Sequence, residues 1–328
     1  MKLRDFGILI FLAACVLIVS ERASAQSCTI TPASGSFGSI DVLPGTAIDS
    51  TTTITVSCTG TANNTVRLCI EMGRGASAAG PSGERALTVS SEYLDFEFYS
   101  DSARTQLWGS WGSVVTAYGT NGVSFDLPLG PSGSASQNFT AYARILASQT
   151  TKIPQTYSWN GSSPAQRYGY VAGSACPTGG STAVSSGSTW TATIPANATV
   201  SATTLNFGST SSLAANIDAT ATISVQATNT TPYSIGLGTG TNAAGSQRRV
   251  RKGATSSFLN YDLYTDSGRS QVWATSTSAT SCTGGAGTCV LATGTGASQN
   301  TTVFGRVPTQ AIPAAGTFTD TVVVTVTF

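Results

Sequence analysis

The sequence predicts an all-β protein built from two β-sandwich domains, and three observations carry that prediction. Val, Ile and aromatic residues recur in short alternating runs broken by Gly, Ser, Asn, Asp and Pro, the pattern of strands and turns. No segment beyond the first 25 residues shows helical periodicity. A long block also occurs once in each half of the chain, and about 300 residues beyond the N-terminal segment suit two domains.

The N-terminal segment comes first. Charged KLRD precedes an apolar run from Phe6 to Val19, followed by the small-residue site Ala23-Ser24-Ala25. Charged start, short apolar run and small-residue site together form an export signal, with cleavage expected before Gln26. Leu12-Ala13-Ala14-Cys15 resembles a lipoprotein cleavage box and offers a competing site at Cys15. Crossing a bilayer takes about 20 apolar residues, more than this run supplies, so residues 1–25 read as a signal peptide on an exported, soluble protein.

Charged residues make up only 9% of the chain and the net charge is +1, which argues against nucleic-acid partners and charge-driven disorder. The cluster Arg248, Arg249, Arg251 and Lys252 stands out in so uncharged a chain. It reads as a solvated hairpin or edge strand charged against aggregation, with contact to an anionic surface as the alternative.

The repeat is the most informative feature. YLDFEFYSDSARTQLWG (93–109) aligns without gaps on FLNYDLYTDSGRSQVWA (258–274), and ASQNFTAYARI (135–145) on ASQNTTVFGRV (297–307). Met72-Gly73-Arg74-Gly75 answers Leu237-Gly238-Thr239-Gly240, and Phe37-Gly38 answers Phe207-Gly208. In each copy Asp-Ser-x-Arg lies between alternating apolar runs, so it reads as a turn whose Asp bonds nearby backbone rather than as a catalytic pair.

The cysteines follow the repeat. Cys28 lies nine residues before Phe37, where the second copy has Ala198; Cys58 ends TITVSC, where TISVQA has Ala227. Loss of both together points to a bond between Cys28 and Cys58. Cys282 and Cys289 bracket a short Gly-rich loop, leaving Cys69 for Cys176, although six cysteines admit many other pairings. Metal binding is the weaker reading, because the chain has no His and no CxxC pair. No cofactor is expected.

Cys28...FG, TITVSC, RLCIEMGRG, YLDFEFYSD...LWG and the closing GTFTDTVVVTVTF, in this order and in large part twice, resemble the spore coat protein U domain, the subunit domain of archaic (Csu-type) chaperone-usher pili. The resemblance implies two immunoglobulin-like β-sandwich domains after the signal peptide at 1–25: an adhesin domain at 26–194 and a pilin domain at 195–328. It also implies that the C-terminal domain is an incomplete sandwich lacking its last strand. A periplasmic chaperone would fill the gap first, and an adjoining pilin subunit would replace it after passage through an outer-membrane usher. Val322, Val324, Val326 and Phe328, one face of the last alternating run, would border the acceptor groove. Only Gln26 and Ser27 separate the expected cleavage site from Cys28, too little for a donor strand. This implies a tip adhesin at the cell surface, attaching the cell and supporting biofilm growth.

Divergence between the copies marks a contact surface on the first domain. After Trp108 the first copy adds Trp111, Val114, Val115 and Tyr118; later it adds Trp159, Tyr168 and Tyr170, and a loop at 76–83 carries Ala78 and Ala79. Apolar residues on Gly- and Ser-rich loops suit a hydrophobic surface, or they fold back to cap the sandwich. A glycan is the alternative ligand, with Trp108, Trp111, Trp159 or the tyrosines stacking beside Asn121, Asn160 and Arg167. Trp190, Ala192 and Ile194 alternate and offer the first domain its own closing strand.

An enzyme is disfavoured. Without His there is no Ser-His-Asp triad. Asp95 and Glu97, the best carboxylate pair, become Asn260 and Asp262 in the second copy and read as a solvent face.

Overall fold

The computed structural model describes residues 26–74, 83–110, 118, 122–160, 166–171, 176, 187–282 and 287–328. The expected signal peptide therefore lies outside the described residues. Among those described, every regular element is a strand. The first sandwich contains β1 (Ser27–Ile30), β2 (Gly35–Ser39), β3 (Ile48–Thr59), β4 (Thr65–Met72), β5 (Arg85–Val89) and β6 (Glu92–Tyr99). It continues with β7 (Val123–Pro128), β8 (Ser134–Ile145), β9 (Thr156–Asn160), β10 (Gln166–Val171) and β11 (Thr189–Thr193). Its large sheet has the order β1-β3-β8-β6-β5-β9-β11-β2, and its small sheet β10-β4-β7.

The second sandwich repeats this plan. It holds β12 (Ala198–Ala202), β13 (Ile217–Ala227), β14 (Pro232–Leu237), β15 (Arg248–Lys252) and β16 (Phe258–Tyr264), then β17 (Val290–Thr293), β18 (Ser298–Val307), β19 (Phe318–Thr319) and β20 (Val324–Thr327). Its sheets run β12-β13-β18-β16-β15-β19 and β17-β14-β20. Strand for strand this matches the first sandwich, except that among the described residues no strand takes the places of β11 and β2 beyond β19.

Alternation along the strands makes the cores. In β3 the inward residues Ile54, Val56 and Cys58 are buried; in β13 the same places hold Ile223, Val225 and Ala227. Trp108 and Trp273, aligned in the repeat, fill the two cores, each donating its indole N–H to a β4 or β14 carbonyl: Ile70 at 3.0 Å and Ile235 at 2.8 Å. Burying both rings with the indole N–H satisfied avoids the cost of a stranded donor.

The Asp-Ser-x-Arg segments form identical turns. Asp101 Oδ1 accepts the backbone N–H of Thr105 (3.0 Å) and Gln106 (2.7 Å), and Asp266 does the same for Ser270 and Gln271. The bonds hold Arg104 and Arg269 in the left-handed region, at φ 56° and 55°. Each arginine then reaches an aspartate on the long strand, Asp49 at 3.2 Å or Asp218 at 3.3 Å.

Among the described residues there are three disulfides: Cys28–Cys58, Cys69–Cys176 and Cys282–Cys289. The first joins register partners of β1 and β3, and the partners at that place in β12 and β13 are Ala198 and Ala227. The two sandwiches also touch: Gln226 Nε2 donates to the Leu43 carbonyl at 2.9 Å and Asn229 Nδ2 to the Thr151 carbonyl at 2.7 Å.

Two expectations are corrected here. The basic cluster does lie on a hairpin, β15 pairing with β16, but β19 covers its far side at Arg251 and Lys252 and the cations are at most half-exposed rather than freely solvated. Arg248 is buried, donating to the Gly238, Leu237 and Trp273 carbonyls, while Arg249 lies 4.1 Å over Phe258 and Lys252 donates to the Ala315 carbonyl. These cations tie down loop carbonyls. Glu97 is no solvent residue either. It is buried beside Arg85, which donates to it at 2.6 Å.

Candidate strand-acceptor site and first-domain surface

The two domains differ most where β11 lies. In the first sandwich β11 inserts between β9 and β2, antiparallel to β9 (Trp190 opposite Trp159, Ala192 opposite Tyr157) and parallel to β2 (Trp190 opposite Gly35). Alternation sends Trp190, Ala192 and Ile194 inward, where all three are buried. Trp190 packs 5.1 Å from Phe37 and 5.5 Å from Phe98, and its indole N–H donates to the Ala33 carbonyl at 2.6 Å. β11 is thus the closing strand of its own domain.

In the second sandwich β19 ends the large sheet and β20 ends the small one. β20 pairs with β14, Val324 opposite Leu237 and Val326 opposite Ile235. Val322, Val324 and Val326 pack as half-buried residues against the second core, while Val323 and Phe328 are exposed. The four residues expected to border a groove therefore lie beside an edge without a neighbouring strand among the described residues. Sequence reasoning missed the other bank. Leu205 and Phe207 occupy the places of Gly35 and Phe37 and pack against the second core. The Phe37-Gly38 and Phe207-Gly208 match was the available signal.

The first-domain surface residues are only partly placed. Ala78, Ala79, Trp111, Val114, Val115 and Asn121 lie outside the described residues. Tyr168 and Tyr170 sit on β10, paired with Ile70 and Leu68 of β4. Trp159 is 1% exposed, in a cluster with Phe96 and Phe98, and donates to the Arg74 carbonyl at 2.9 Å. Strand alternation turns its ring inward, so it belongs to the core and not to an exposed loop. Trp108 is equally buried, which removes both rings from any sugar-stacking surface.

Tyr118 is half-buried at the core edge. Its hydroxyl donates to Glu97 at 2.5 Å, and its ring lies 4.6 Å from the Arg85 guanidinium and 5.4 Å from that of Arg74. Arg85 also donates to the Gly73, Met72 and Trp108 carbonyls, at 2.9, 2.5 and 2.7 Å. Burial pushes the Glu97 carboxyl up, against the pull of Arg85, and pushes the Arg85 guanidinium down. Burial, with the bond to Glu97, also raises the Tyr118 phenol. These groups are held by one another, and each wall of the site is a packing and hydrogen-bonding surface.

Comparison with known proteins agrees with this architecture. Protein U of Myxococcus xanthus is 35% identical over 137 residues, covering 38% of this chain and 72% of that protein. Among solved structures, the CsuC–CsuE chaperone–tip adhesion subunit pre-assembly complex from archaic chaperone-usher Csu pili of Acinetobacter baumannii matches with a TM-score of 0.53 at 20% identity, over 92% of this chain and 100% of that one. The CupB6 tip adhesin of Pseudomonas aeruginosa gives a TM-score of 0.39 at 10% identity, over 91% of this chain and 93% of that one. The two sandwiches are immunoglobulin-like, as in that first structural relative. The Spore Coat Protein U domain matches residues 14–158 and again 184–325, and the chain belongs to the Spore Coat Protein U domain family, with two copies of its domain.

Proposed function

We propose that this chain is the tip subunit of a chaperone-usher pilus, exported through the periplasm to the cell surface. Its second domain accepts a strand from another chain, and its first domain attaches the cell to surfaces and supports biofilm growth. One observation carries the reading: β11 covers β9 in the first sandwich, whereas β19 is the outermost strand of the equivalent sheet in the second. An edge of unpaired backbone groups beside a half-apolar face is stabilised by an added strand, whose backbone bonds supply affinity and whose side chains supply specificity. A periplasmic chaperone would supply that strand first. An adjoining pilin would then supply it after the usher step. The first structural relative, a complex of a chaperone with a tip adhesion subunit, supports the same reading.

The proposed attachment surface comprises the first-domain segments that the second copy lacks, with Trp111, Val114 and Val115 at its centre and Tyr118 next to them in the chain. The residues at 78–79 and on β10 would extend it. Changing Trp111, Val114 and Val115 together to Ser is expected to abolish attachment to plastic while pili still assemble. Normal attachment by that variant would refute the assignment. Attachment that survives on plastic but fails on one array glycan would favour sugar recognition.

A further inference from the structure

The two copies of the domain exchange large and small residues where Trp190 sits. Opposite Trp190 stands Gly35, where an added Cβ would come within 2.6 Å of two indole carbons. Only glycine admits that ring. The second copy has Leu205 in place of Gly35 and Gly305 in place of Ala143. A Cβ on Gly305 would meet Leu205 Cδ1 at 2.8 Å and Phe207 Cζ at 3.0 Å, so Leu205 packs on the glycine that replaces Ala143 and puts a side chain at the position where Gly35 leaves room for Trp190.

The wall changes too. Thr88 opposite Ser158 and Arg251 opposite Thr319 set the register between copies, which puts Asp320 in the place of Trp159. Asp320 is already engaged, accepting from Tyr261 at 2.8 Å, Thr241 at 2.9 Å and Asn242 at 3.0 Å. Phe37 and Phe96 persist as the packed rings of Phe207 and Tyr261, but Gly35 and Trp159 have become an aliphatic bulge and a satisfied carboxylate.

From this we infer that Leu205 keys the second domain's acceptor edge, and that it takes a partner-chain strand carrying a small residue, Gly, Ala or Ser, where β11 carries Trp190. Aliphatic residues follow at the next two inward positions, as Ala192 in β11 and Ile194 just after it do. The same bulge rejects the chain's own β11, which would otherwise link copies head to tail by strand exchange. The inference rests on the strand-acceptor reading above.

Two fluorescein-labelled synthetic peptides test it, one with the sequence of residues 187–196 and one identical except for Trp190→Ala. The first domain is closed by its own β11, so uptake by the full chain, followed on native gels and by thermal shift, reports the second domain. The wild-type chain is expected to take up the Ala peptide at least tenfold more readily than the Trp peptide. The double variant Leu205→Gly, Gly305→Ala should accept the Trp peptide, and Leu205→Ala gives a milder readout should the double variant fold poorly. Equal uptake of both peptides by the wild-type chain would overturn the keying while leaving the acceptor reading intact. Uptake of neither peptide by wild type or variants would overturn the acceptor reading and the keying with it.

Discussion

Arg85 and Arg248 hold one place in two domains: each buried guanidinium donates to the carbonyl of its domain's core tryptophan, Trp108 at 2.7 Å and Trp273 at 2.6 Å. Each also donates to the two carbonyls that end the neighbouring strand, Met72 and Gly73 or Leu237 and Gly238. The cation staples three backbone segments that would otherwise bury unpaired acceptors.

Arg85→Met is therefore expected to destabilise the first domain by about 3–5 kcal/mol, because it strands Glu97 in the core edge as well as three carbonyls. Arg248→Met should cost less, about 2–3 kcal/mol, since no carboxylate is bonded to Arg248 and only the carbonyls lose their donor. Urea unfolding of the two variants checks the order. A larger loss for Arg248→Met would contradict this account of the difference.

The disulfide of the first domain should be transferable. Ala198 and Ala227 occupy the register of Cys28 and Cys58, so Ala198→Cys with Ala227→Cys is expected to bond under oxidising conditions and raise the second domain's stability by about 2–4 kcal/mol. Thiol titration and the shift in unfolding midpoint between oxidised and reduced protein read the result. Free thiols after oxidation would show that the two strands sit differently.

Acid should weaken the fold from about pH 4 downward. Asp49 and Asp218 are held below the usual carboxylate value, chiefly by the side-chain bonds from Arg144 and Arg306. Asp101 and Asp266 are lowered first by the N–H of Gln106 and Gln271. A folded-state value below the unfolded one, about 3.9 for Asp, gives stability present above it and lost as pH falls through the folded value. Glu97, Asp95 and Asp262, raised by burial, work in the opposite sense: their burial favours the fold most when they are protonated and opposes it as pH rises through their folded values. Melting scans from pH 6 to 2 should show a falling midpoint, with a shallower fall in Asp101→Asn, Asp266→Asn protein. An unchanged slope in that variant would remove the turns from the explanation.

Charge on the inward face of β20 should prevent accumulation of the protein. Val324→Asp with Val326→Asp puts two carboxylates against the second core, costing roughly 2 kcal/mol or more each. Thr325→Asp on the exposed face should be tolerated. Thr327 is less free than strict alternation suggests, since its hydroxyl donates to the Ser276 carbonyl at 3.3 Å, and Thr327→Asp should fall between. Yields from the periplasm rank the variants, and equal yields for all of them would show that this face does not seat the strand.

The strands, the two-domain repeat and the turns were legible in the sequence because each depends on local rules. Alternation at Ile54, Val56 and Cys58 sets a face of the strand, and Asp101 bonds backbone within five residues of itself. The joint loss of cysteines at Ala198 and Ala227 marks β1 and β3 as neighbours from sequence alone, and Cys28 and Cys58 are register partners. Three-dimensional packing decided the rest. Whether Trp159 lay on a loop or in a core depended on the ring cluster it joins, and whether Arg248 was solvated depended on carbonyls brought to it by distant strands. Leu205 and Asp320 carry no local sign of their role. Leu205 meets Gly305 and Asp320 meets Tyr261 only because the sheets bring together residues far apart in the chain, and burial there is a property of the partners and not of the residue.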